Sequence, residues 1–346
     1  MSDNSSFMTF YKGIIDSTLR EGQQYHLANF TQSNQRKIVQ MLSQVGVDRI
    51  EVGNPVVRKV ASNIGHLVKL KNRPKLLCHI RNRMDDLKAA IESGVDGINI
   101  ICTVDKQRLD AMGCSLEQYL EKLRGLVLLA KEHDLEVRVS VEDYFNRDPN
   151  DAAQVYGLAE SLGVDRIGVA DTLGVAMGWE VEMKISQLRR QFSTDIEVHF
   201  HNDIGQANSN ALIAIKSGAN WVDTTLMGIG ERSGITALST LLAALHICDP
   251  EISKRYNLQH VTKTENALAR MIGKEVPFNL LTNRENGFAH KAGIHLHALV
   301  NFGPSTYEPI SPGVIGNVRR FIHGSEISGR TNEKNIKYFY RKYGRS

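Results

Sequence analysis

The chain has 346 residues, of which 42% are hydrophobic and 23% charged, with a formal net charge of +4. These values are typical of a globular protein with one large domain, or one domain and a smaller companion, and the absence of an apolar run of about 18 residues argues against a membrane span. The cysteines contain no CxxC pair, which argues against a zinc finger or a disulfide framework. The first ten residues lack the features of a signal peptide, so we expect a cytoplasmic location. The end of the chain is basic and rich in aromatic residues, but no nucleic-acid-binding motif accompanies it. We therefore expect a surface helix there and no nucleic-acid partner.

Short β-branched segments alternate with longer amphipathic segments along most of the chain. The predicted strands are GIIDST, DRIEVG, KLLCHI, GINIIC, LEVRVS, DRIGVA, IEVHFH and WVDTTL. The helices that follow them are predicted over about Gln32 to Val45, Val57 to Leu70, Met84 to Ser93, Ser115 to His133, Asp151 to Leu162, Gly178 to Phe192, Gln206 to Ser217 and Ile235 to Leu245. Eight strand–helix units of this kind predict an α/β fold, the (β/α)8 TIM barrel.

The alternation stops near His246, so we predict a catalytic barrel over residues 1–245 and an appended α-rich region over residues 246–346. An open, doubly wound sheet is the alternative to the barrel. Its dinucleotide-binding form would carry a GxGxxG motif after the first strand, and this motif is absent.

Polar side chains follow seven of the predicted strands, at the end of a barrel where enzymes keep their active sites. His199 and His201, in IEVHFHNDIG, are separated by one residue, so both lie on the same face of a strand. Two imidazoles and a carboxylate leave positions open on a divalent metal, which can then polarise a carbonyl group. The polar series comprises Asp16, Arg20, Glu21, Glu51, His79, Asn99, Arg138, Ser140, Glu142, Asp171, Thr172, His199, His201, Asn202 and Asp203.

Several of these residues suggest a more specific role. Arg20, His79 and Arg138 suit the carboxylates of an anionic substrate. Asn202 and Asp203 are interpreted as groups that orient the histidines. Alternation in VRVSVE places Arg138, Ser140 and Glu142 on the interior face of strand five, where a substrate carboxylate would meet the arginine charge. The alternative is that Arg138 pairs with Glu142 or with another interior carboxylate.

Two motifs lie outside this series. The glycine-rich stretch MGIGERSGIT follows strand eight, and its spacing fits a phosphate-binding loop and a plain tight turn equally well. The segment GFAHKAGIHLHAL contains His290, His295 and His297. We favour a histidine that acts as acid or base at the barrel mouth over a second metal site, because no carboxylate is nearby in the sequence.

Four motifs, IIDSTLREGQQ, HFHNDIGQANSNA, VDTTLMGIGERSGIT and FAHKAGIH, resemble those of the homocitrate synthases. This group belongs to the metal-dependent acyl-CoA condensing barrels, together with 2-isopropylmalate synthase and citramalate synthase, and the similarity extends from about Lys12 to Arg330. The resemblance implies an acyltransferase that condenses acetyl-CoA with a 2-oxo dicarboxylic acid, with 2-oxoglutarate favoured. Alternatives are another 2-oxo acid (2-oxoisovalerate, oxaloacetate, pyruvate or a phosphono-oxo acid), a metal-dependent lyase or aldolase, and a barrel that binds a metabolite without turnover.

The resemblance also implies roles for individual residues. The metal, which could be zinc, magnesium, manganese or cobalt, is held by Glu21, His199 and His201. The oxo acid is bound by Arg20, His79, Arg138, Ser140 and Thr172, and Arg138 and Ile229 favour a dicarboxylic substrate. His295 is the catalytic base, with Glu142 as its partner in proton transfer and with Tyr307 from the same appended region. That region reaches into the barrel of a second subunit in the family, which implies a homodimer. Asn99 replaces an aspartate of the lysine-sensitive enzymes, so feedback by lysine is not implied.

Overall fold

A computed structural model describes residues 9–322 and 333–344. The chain forms two compact units. Within the described residues, the first unit extends to Ser43 and from Val47 to Leu238, and the second contains residues 44–46 and the chain from Ser239 onward. Over these ranges, no helix combines the length and the apolar character needed to cross a membrane.

The first unit contains a closed barrel of eight parallel strands in the order of the sequence. The barrel closes between the first and last strands, where Gly13 pairs with Trp221 and Asp16 pairs with Thr224. This confirms the predicted (β/α)8 fold. The strands are β1 (Gly13–Asp16), β2 (Arg49–Val52), β3 (Lys75–Arg81), β4 (Gly97–Cys102), β5 (Glu136–Val141), β6 (Arg166–Asp171), β7 (Asp195–Phe200) and β8 (Trp221–Thr224).

Helices connect the strands. They are α1 (Gln32–Val45), α2 (Arg58–Leu67), α3 (Met84–Ser93), α4 (Lys106–Ala111), α5 (Leu116–Glu132), α6 (Pro149–Ser161), α7 (Gly178–Gln191) and α8 (Ala207–Lys216). The short helix α4 was not predicted, and it begins where the Asp105 carboxylate accepts the backbone N–H of Arg108. Helix α6 begins at Pro149 rather than Asp151, because Asp148 caps it and a proline suits the first helical position.

The second unit is mainly helical. Its elements are α9 (Leu238–Cys248), α10 (Val261–Met271), β9 (Ala289–His290), α11 (Gly293–Phe302), β10 (Arg320–Phe321) and α12 (Glu333–Tyr343). Strands β9 and β10 pair in parallel, and α11 and α12 share a small apolar core that includes Leu296 and Phe339. Helix α9 begins later than the predicted Ile235, because Ile235 and Ala237 form isolated β-bridges instead.

Ion pairs occupy the amino-terminal end of the barrel. Glu136, at the start of β5, accepts hydrogen bonds from Arg49 Nε at 2.5 Å and Lys75 Nζ at 2.9 Å, and it also pairs with Arg166. The Arg166 side chain is buried and bridges to Glu197 on β7, where Nε lies 2.5 Å from a carboxylate oxygen. Removing one of the buried charged side chains would leave its buried partners short of a counter-charge, which should destabilise the barrel strongly.

Glu136 should make the stability of the protein sensitive to acid. Burial alone would raise its pKa, but Arg49, Arg166 and Lys75 lower it to about 2. A carboxylate with a depressed pKa stabilises the fold above the pKa of the unfolded state, and that contribution is lost as the pH falls from about 4.5 towards about 2. The loss of unfolding free energy between pH 7 and pH 3 should therefore be about 2 kcal/mol smaller in Glu136→Gln than in the parent. Urea denaturation at the two pH values measures this difference, and an equal loss in both proteins would contradict it.

Candidate active site

Glu21, His199 and His201 come together at the carboxyl-terminal end of the barrel. One ligand atom from each residue can be chosen so that all of them lie within 4.8 Å of one another, and all three residues are buried. The two imidazole rings lie on the same face of β7 and its extension, with centroids 5.1 Å apart. The separation of His199 and His201 by one residue therefore places both rings on one face, as the alternation of side chains along a strand predicts.

His199 is oriented by a residue that the sequence analysis missed. Its Nδ1 atom lies 3.0 Å from the carboxylate of Asp223 on β8, which leaves Nε2 as the nitrogen available to a metal. The interpretation of Asn202 and Asp203 as the orienting groups is wrong. Asp203 pairs with Arg232, and Asn202 accepts the backbone N–H of Ala207.

The carboxylate of Glu21 is held on both of its oxygens. The backbone N–H of Glu231 donates to Oε1 at 2.9 Å, and Arg20 Nη1 donates to Oε2 at 2.5 Å. Burial alone would raise the pKa of Glu21, but Arg20, the neighbouring His199 and this backbone N–H lower it. The carboxylate is thus ionised, as a metal ligand must be.

The glycine-rich loop after β8 supports this carboxylate. A Cβ atom on Gly230 would lie 2.9 Å from Glu21 Oε1, so the approach of the loop requires a glycine there. The backbone N–H of Glu231 donates to the Glu21 carboxylate, and the backbone N–H of Gly234 donates to the carbonyl of Glu231. These contacts support the tight-turn interpretation of MGIGERSGIT over the phosphate-binding one.

His201 is the third member of this cluster of potential ligands. Burial and the proximity of His199 lower its pKa to about 4, although Glu21 acts in the opposite direction. Its Nδ1 atom is buried without a hydrogen-bond partner among the residues that the structure describes. A buried polar atom of this kind is unfavourable unless a ligand compensates for it. Two imidazole nitrogens and an ionised carboxylate therefore fit a divalent cation.

A cavity of about 210 Å³ adjoins these ligands. Eight of the residues that the sequence analysis singled out line this cavity. Ser140, which was expected to bind the oxo acid, does not. They are Arg20, Glu21, His79, Arg138, Glu142, Thr172, His199 and His201. Glu231 and Arg232, which the sequence analysis did not select, also line the cavity.

Arg138 has protein partners as well as access to the cavity. Its Nε atom donates to Ser140 Oγ at 2.6 Å, and Nη1 donates to Glu197 and to Asp223, the latter at 3.0 Å. Two buried carboxylates, Glu197 and Asp223, therefore neutralise the Arg138 charge, as the alternative of an interior carboxylate partner predicts, and a contact of Arg138 with a substrate stays a prediction. Ser140 holds the arginine rather than facing the cavity. Glu142 pairs with Arg108 and not with Arg138.

Thr172 and Asp171, at the end of β6, have different roles. The Thr172 hydroxyl oxygen accepts the backbone N–H of Asp143 at 2.8 Å, so its hydrogen remains available to a cavity ligand. The Asp171 carboxylate accepts the backbone N–H groups of Val175 and Ala176 and thereby shapes the following loop. Asp171 is therefore a structural residue here.

His295 and Tyr307 lie together in the second unit. Their rings are stacked, with centroids 3.8 Å apart and an interplanar angle of 20°. His290, in contrast, has a carboxylate neighbour that the sequence did not reveal, since its Nε2 atom lies 3.3 Å from Glu308. In residues 9–322 and 333–344, the histidines of this region form no cluster of three potential metal ligands.

Comparisons with known proteins agree with this architecture. Residues 12–268 match the HMGL-like family model, and residues 283–338 match the model described as "Homocitrate synthase post-HMGL domain-like". The mitochondrial homocitrate synthase of Schizosaccharomyces pombe is 39% identical over 320 residues, which cover 91% of this chain and 76% of that protein. The cytosolic isozyme of Saccharomyces cerevisiae is 37% identical over 313 residues, covering 90% and 73%.

The fold has counterparts among solved structures. The crystal structure of the HMG-CoA lyase from Bacillus subtilis superimposes with a TM-score of 0.70 at 18% identity, covering 78% of this chain and 96% of that one. At this identity the similarity concerns the fold alone. The family model and the sequence relatives place the chain in the HMGL-like family, as an enzyme of the homocitrate synthase type.

Proposed function

We propose that this enzyme condenses acetyl-CoA with a 2-oxo dicarboxylic acid, with 2-oxoglutarate as the favoured substrate and homocitrate and CoA as products. The observation that carries the proposal is the composition of the cavity, in which the cluster of Glu21, His199 and His201 adjoins Arg20 and Arg138. A keto acid needs both a group that polarises its carbonyl and cations for its carboxylates. The names of the similar yeast proteins support the same assignment.

Glu21, His199 and His201 would hold the divalent cation, which could be zinc, magnesium, manganese or cobalt. When bound, it would act as a Lewis acid towards the keto oxygen of the substrate. The protein prepares this site in advance. Asp223 fixes the ring of His199, and the loop after β8 fixes Glu21.

Arg20, His79, Arg138 and Thr172 would bind the oxo acid. Arg20 is preorganised for this task, because its Nε atom donates to Glu51 at 2.6 Å and its Nη1 atom donates to Glu21, which leaves Nη2 for a carboxylate. The Thr172 hydroxyl can donate a further hydrogen bond. The oxo acid would thus meet groups that donate hydrogen bonds.

His295 would take a proton from the methyl group of acetyl-CoA at one of its ring nitrogens, so that the methyl carbon can attack the keto carbon. The C=O double bond of the keto group becomes a single bond, and its oxygen takes up a proton to give the hydroxyl group of the product. Hydrolysis of the resulting thioester by water releases CoA. The stacked Tyr307 supports the position of the His295 ring, and Glu142 would pass the proton on. The family resemblance supports a homodimer in which His295 and Tyr307 serve the cavity of the partner subunit. The cytoplasmic location stays a prediction, because the yeast relatives include mitochondrial and cytosolic proteins.

Replacing His295 should separate chemistry from binding. We expect His295→Ala to slow condensation by at least about 10²-fold while the dissociation constant for the oxo acid changes little, because a general base acts on the acetyl group. His297→Ala is the matched control, since His297 lies on the same helix and hydrogen-bonds to Asn301. Steady-state kinetics and calorimetric titration of the oxo acid measure the two quantities. Weak oxo acid binding combined with a normal turnover number would assign His295 to the substrate site instead.

Release of free thiol tests the function directly. Acetyl-CoA is supplied with 2-oxoglutarate, 2-oxoisovalerate, oxaloacetate, pyruvate or a phosphono-oxo acid, and CoA is detected with a thiol reagent. We expect the highest kcat/KM with 2-oxoglutarate and homocitrate as its product. A preference for 2-oxoisovalerate or pyruvate would overturn the dicarboxylate assignment. Cleavage of an acyl-CoA without any oxo acid acceptor would indicate a lyase.

A further inference from the structure

We infer that Asn99 and Ser140 are positioning residues that fix His79 in the tautomer protonated on Nε2, so that His79 can only donate a hydrogen bond to a ligand in the cavity. The role of that ligand as the oxo acid rests on the proposed function. The tautomer itself follows from hydrogen bonds inside the barrel.

The direction of these hydrogen bonds is set at Arg138. A guanidinium has only donors, so Ser140 Oγ must accept from Arg138 Nε, 2.6 Å away. The single hydrogen of the Ser140 hydroxyl is then free for Asn99 Oδ1, at 2.8 Å. Asn99 and Ser140 are both fully buried, so water does not offer an alternative partner.

The orientation of the Asn99 side chain follows from this contact. With Oδ1 facing Ser140, the amide nitrogen Nδ2 lies 2.9 Å from Glu51 Oε1 and 2.9 Å from His79 Nδ1. The reverse orientation would place Oδ1 against the Glu51 carboxylate, and two acceptors would then face each other. Burial alone would raise the pKa of Glu51, but the adjacent Arg20 guanidinium holds it well below its usual value, so the carboxylate is charged.

The tautomer of His79 is the last step. Because an amide nitrogen only donates, Nδ1 of His79 must accept, and the proton of the neutral ring lies on Nε2. The longer separation of 3.3 Å between Nδ1 and Glu51 Oε1 is consistent with this assignment. The charged groups around the ring are Glu51 from β2, Arg20 after β1 and Arg138 from β5. Burial and the two arginines lower the pKa of His79, while Glu51 raises it, and the net direction is downward.

The consequence for recognition is that His79 joins Arg20 and Arg138 as a donor on the cavity wall. Three donors favour a group that only accepts, such as a carboxylate, over a hydroxyl or an amide. An aspartate at position 99 would reverse the arrangement. It would place a second carboxylate beside Glu51 and draw a proton onto Nδ1 of His79.

The nitrogen-15 NMR spectrum of the histidine side chains, recorded on the full chain without substrates, tests the tautomer. The chain has twelve histidines, so a His79→Gln variant identifies the resonances. We expect Nε2 of His79 to be protonated in the parent and Nδ1 to become protonated in Asn99→Asp. Ser17→Ala is the matched control for Ser140→Ala, because Ser17 donates to the other oxygen of Glu51 at 2.8 Å. We expect Ser17→Ala to keep the tautomer and Ser140→Ala to mix the two forms.

A proton on Nδ1 in the parent would overturn the inference, as would an unchanged tautomer in Asn99→Asp. Steady-state kinetics of the same variants provide an independent test. Asn99→Asp and Ser140→Ala should each raise the KM for the oxo acid roughly tenfold, the scale of one misdirected hydrogen bond, with little change in the KM for acetyl-CoA. The NMR result does not depend on the reaction, so a failure of the proposed function would leave it intact.

Discussion

His201→Ala should remove the bound divalent metal and abolish turnover without unfolding the barrel. His201 and His199 share one face of β7 and its extension, and their ligand atoms lie within 4.8 Å of that of Glu21. Loss of one of three protein ligands should cost at least about 10³-fold in rate, because a Lewis acid contributes several kcal/mol of stabilisation. The melting temperature of the metal-free protein should stay within about 3 °C of the metal-free parent, since His201 Nδ1 has no hydrogen-bond partner among the described residues.

Metal analysis of the purified variant and the rate of thiol release measure these two effects. His66→Ala is a suitable control, because His66 lies exposed on α2. His199→Ala should lose metal in the same way, but it should also destabilise the barrel, because Asp223 would lose a partner while remaining fully buried. Full metal occupancy in His201→Ala, together with a near-normal rate, would show that the metal lies elsewhere.

The barrel could be predicted because its signal is local and repeated. Each β-branched segment was followed by an amphipathic one, and every predicted strand corresponds to a strand of the structure. The alternation within β5 correctly placed Arg138 and Ser140 in the barrel interior, since both contact other interior residues. The start of α6 was less accurate because the Asp148 cap decides it, and α4, which begins at the Asp105 cap, was not predicted.

The partners of the site residues could not be predicted, because they come from distant parts of the chain. Arg138 meets Asp223 across a separation of 85 residues, and no local pattern connects them. The signal that could have been used is an aspartate inside the apolar strand WVDT, where burial requires a partner. Asp203 illustrates the opposite error. Its position two residues after His201 suggested a contact with that histidine, but its carboxylate pairs with Arg232 instead.

The interior of the barrel changes the interpretation of Arg138. Its Nε and Nη1 atoms are held by Ser140, Glu197 and Asp223, so only Nη2 remains for a substrate. Truncation to alanine would leave Asp223 buried without its arginine partner and Glu197 paired with Arg166 alone, which could unfold the barrel. A test of specificity therefore needs a variant that retains the charge.

Arg138→Lys should lose activity on 2-oxoglutarate far more than activity on 2-oxoisovalerate. A lysine keeps a cation beside Glu197 and Asp223, but it cannot hold them and also present a second nitrogen to the cavity. Losing a charge-assisted contact to the distal carboxylate should lower kcat/KM for 2-oxoglutarate by about 10²-fold, and by less than about threefold for the branched acid.

The matched control is Arg166→Lys, because Arg166 also pairs with Glu197 but does not line the cavity. It should lower stability and leave the ratio of the two kcat/KM values nearly unchanged. If both variants leave that ratio within about threefold of the parent's, Arg138 serves the interior ion pairs alone, and the dicarboxylate assignment loses its main support.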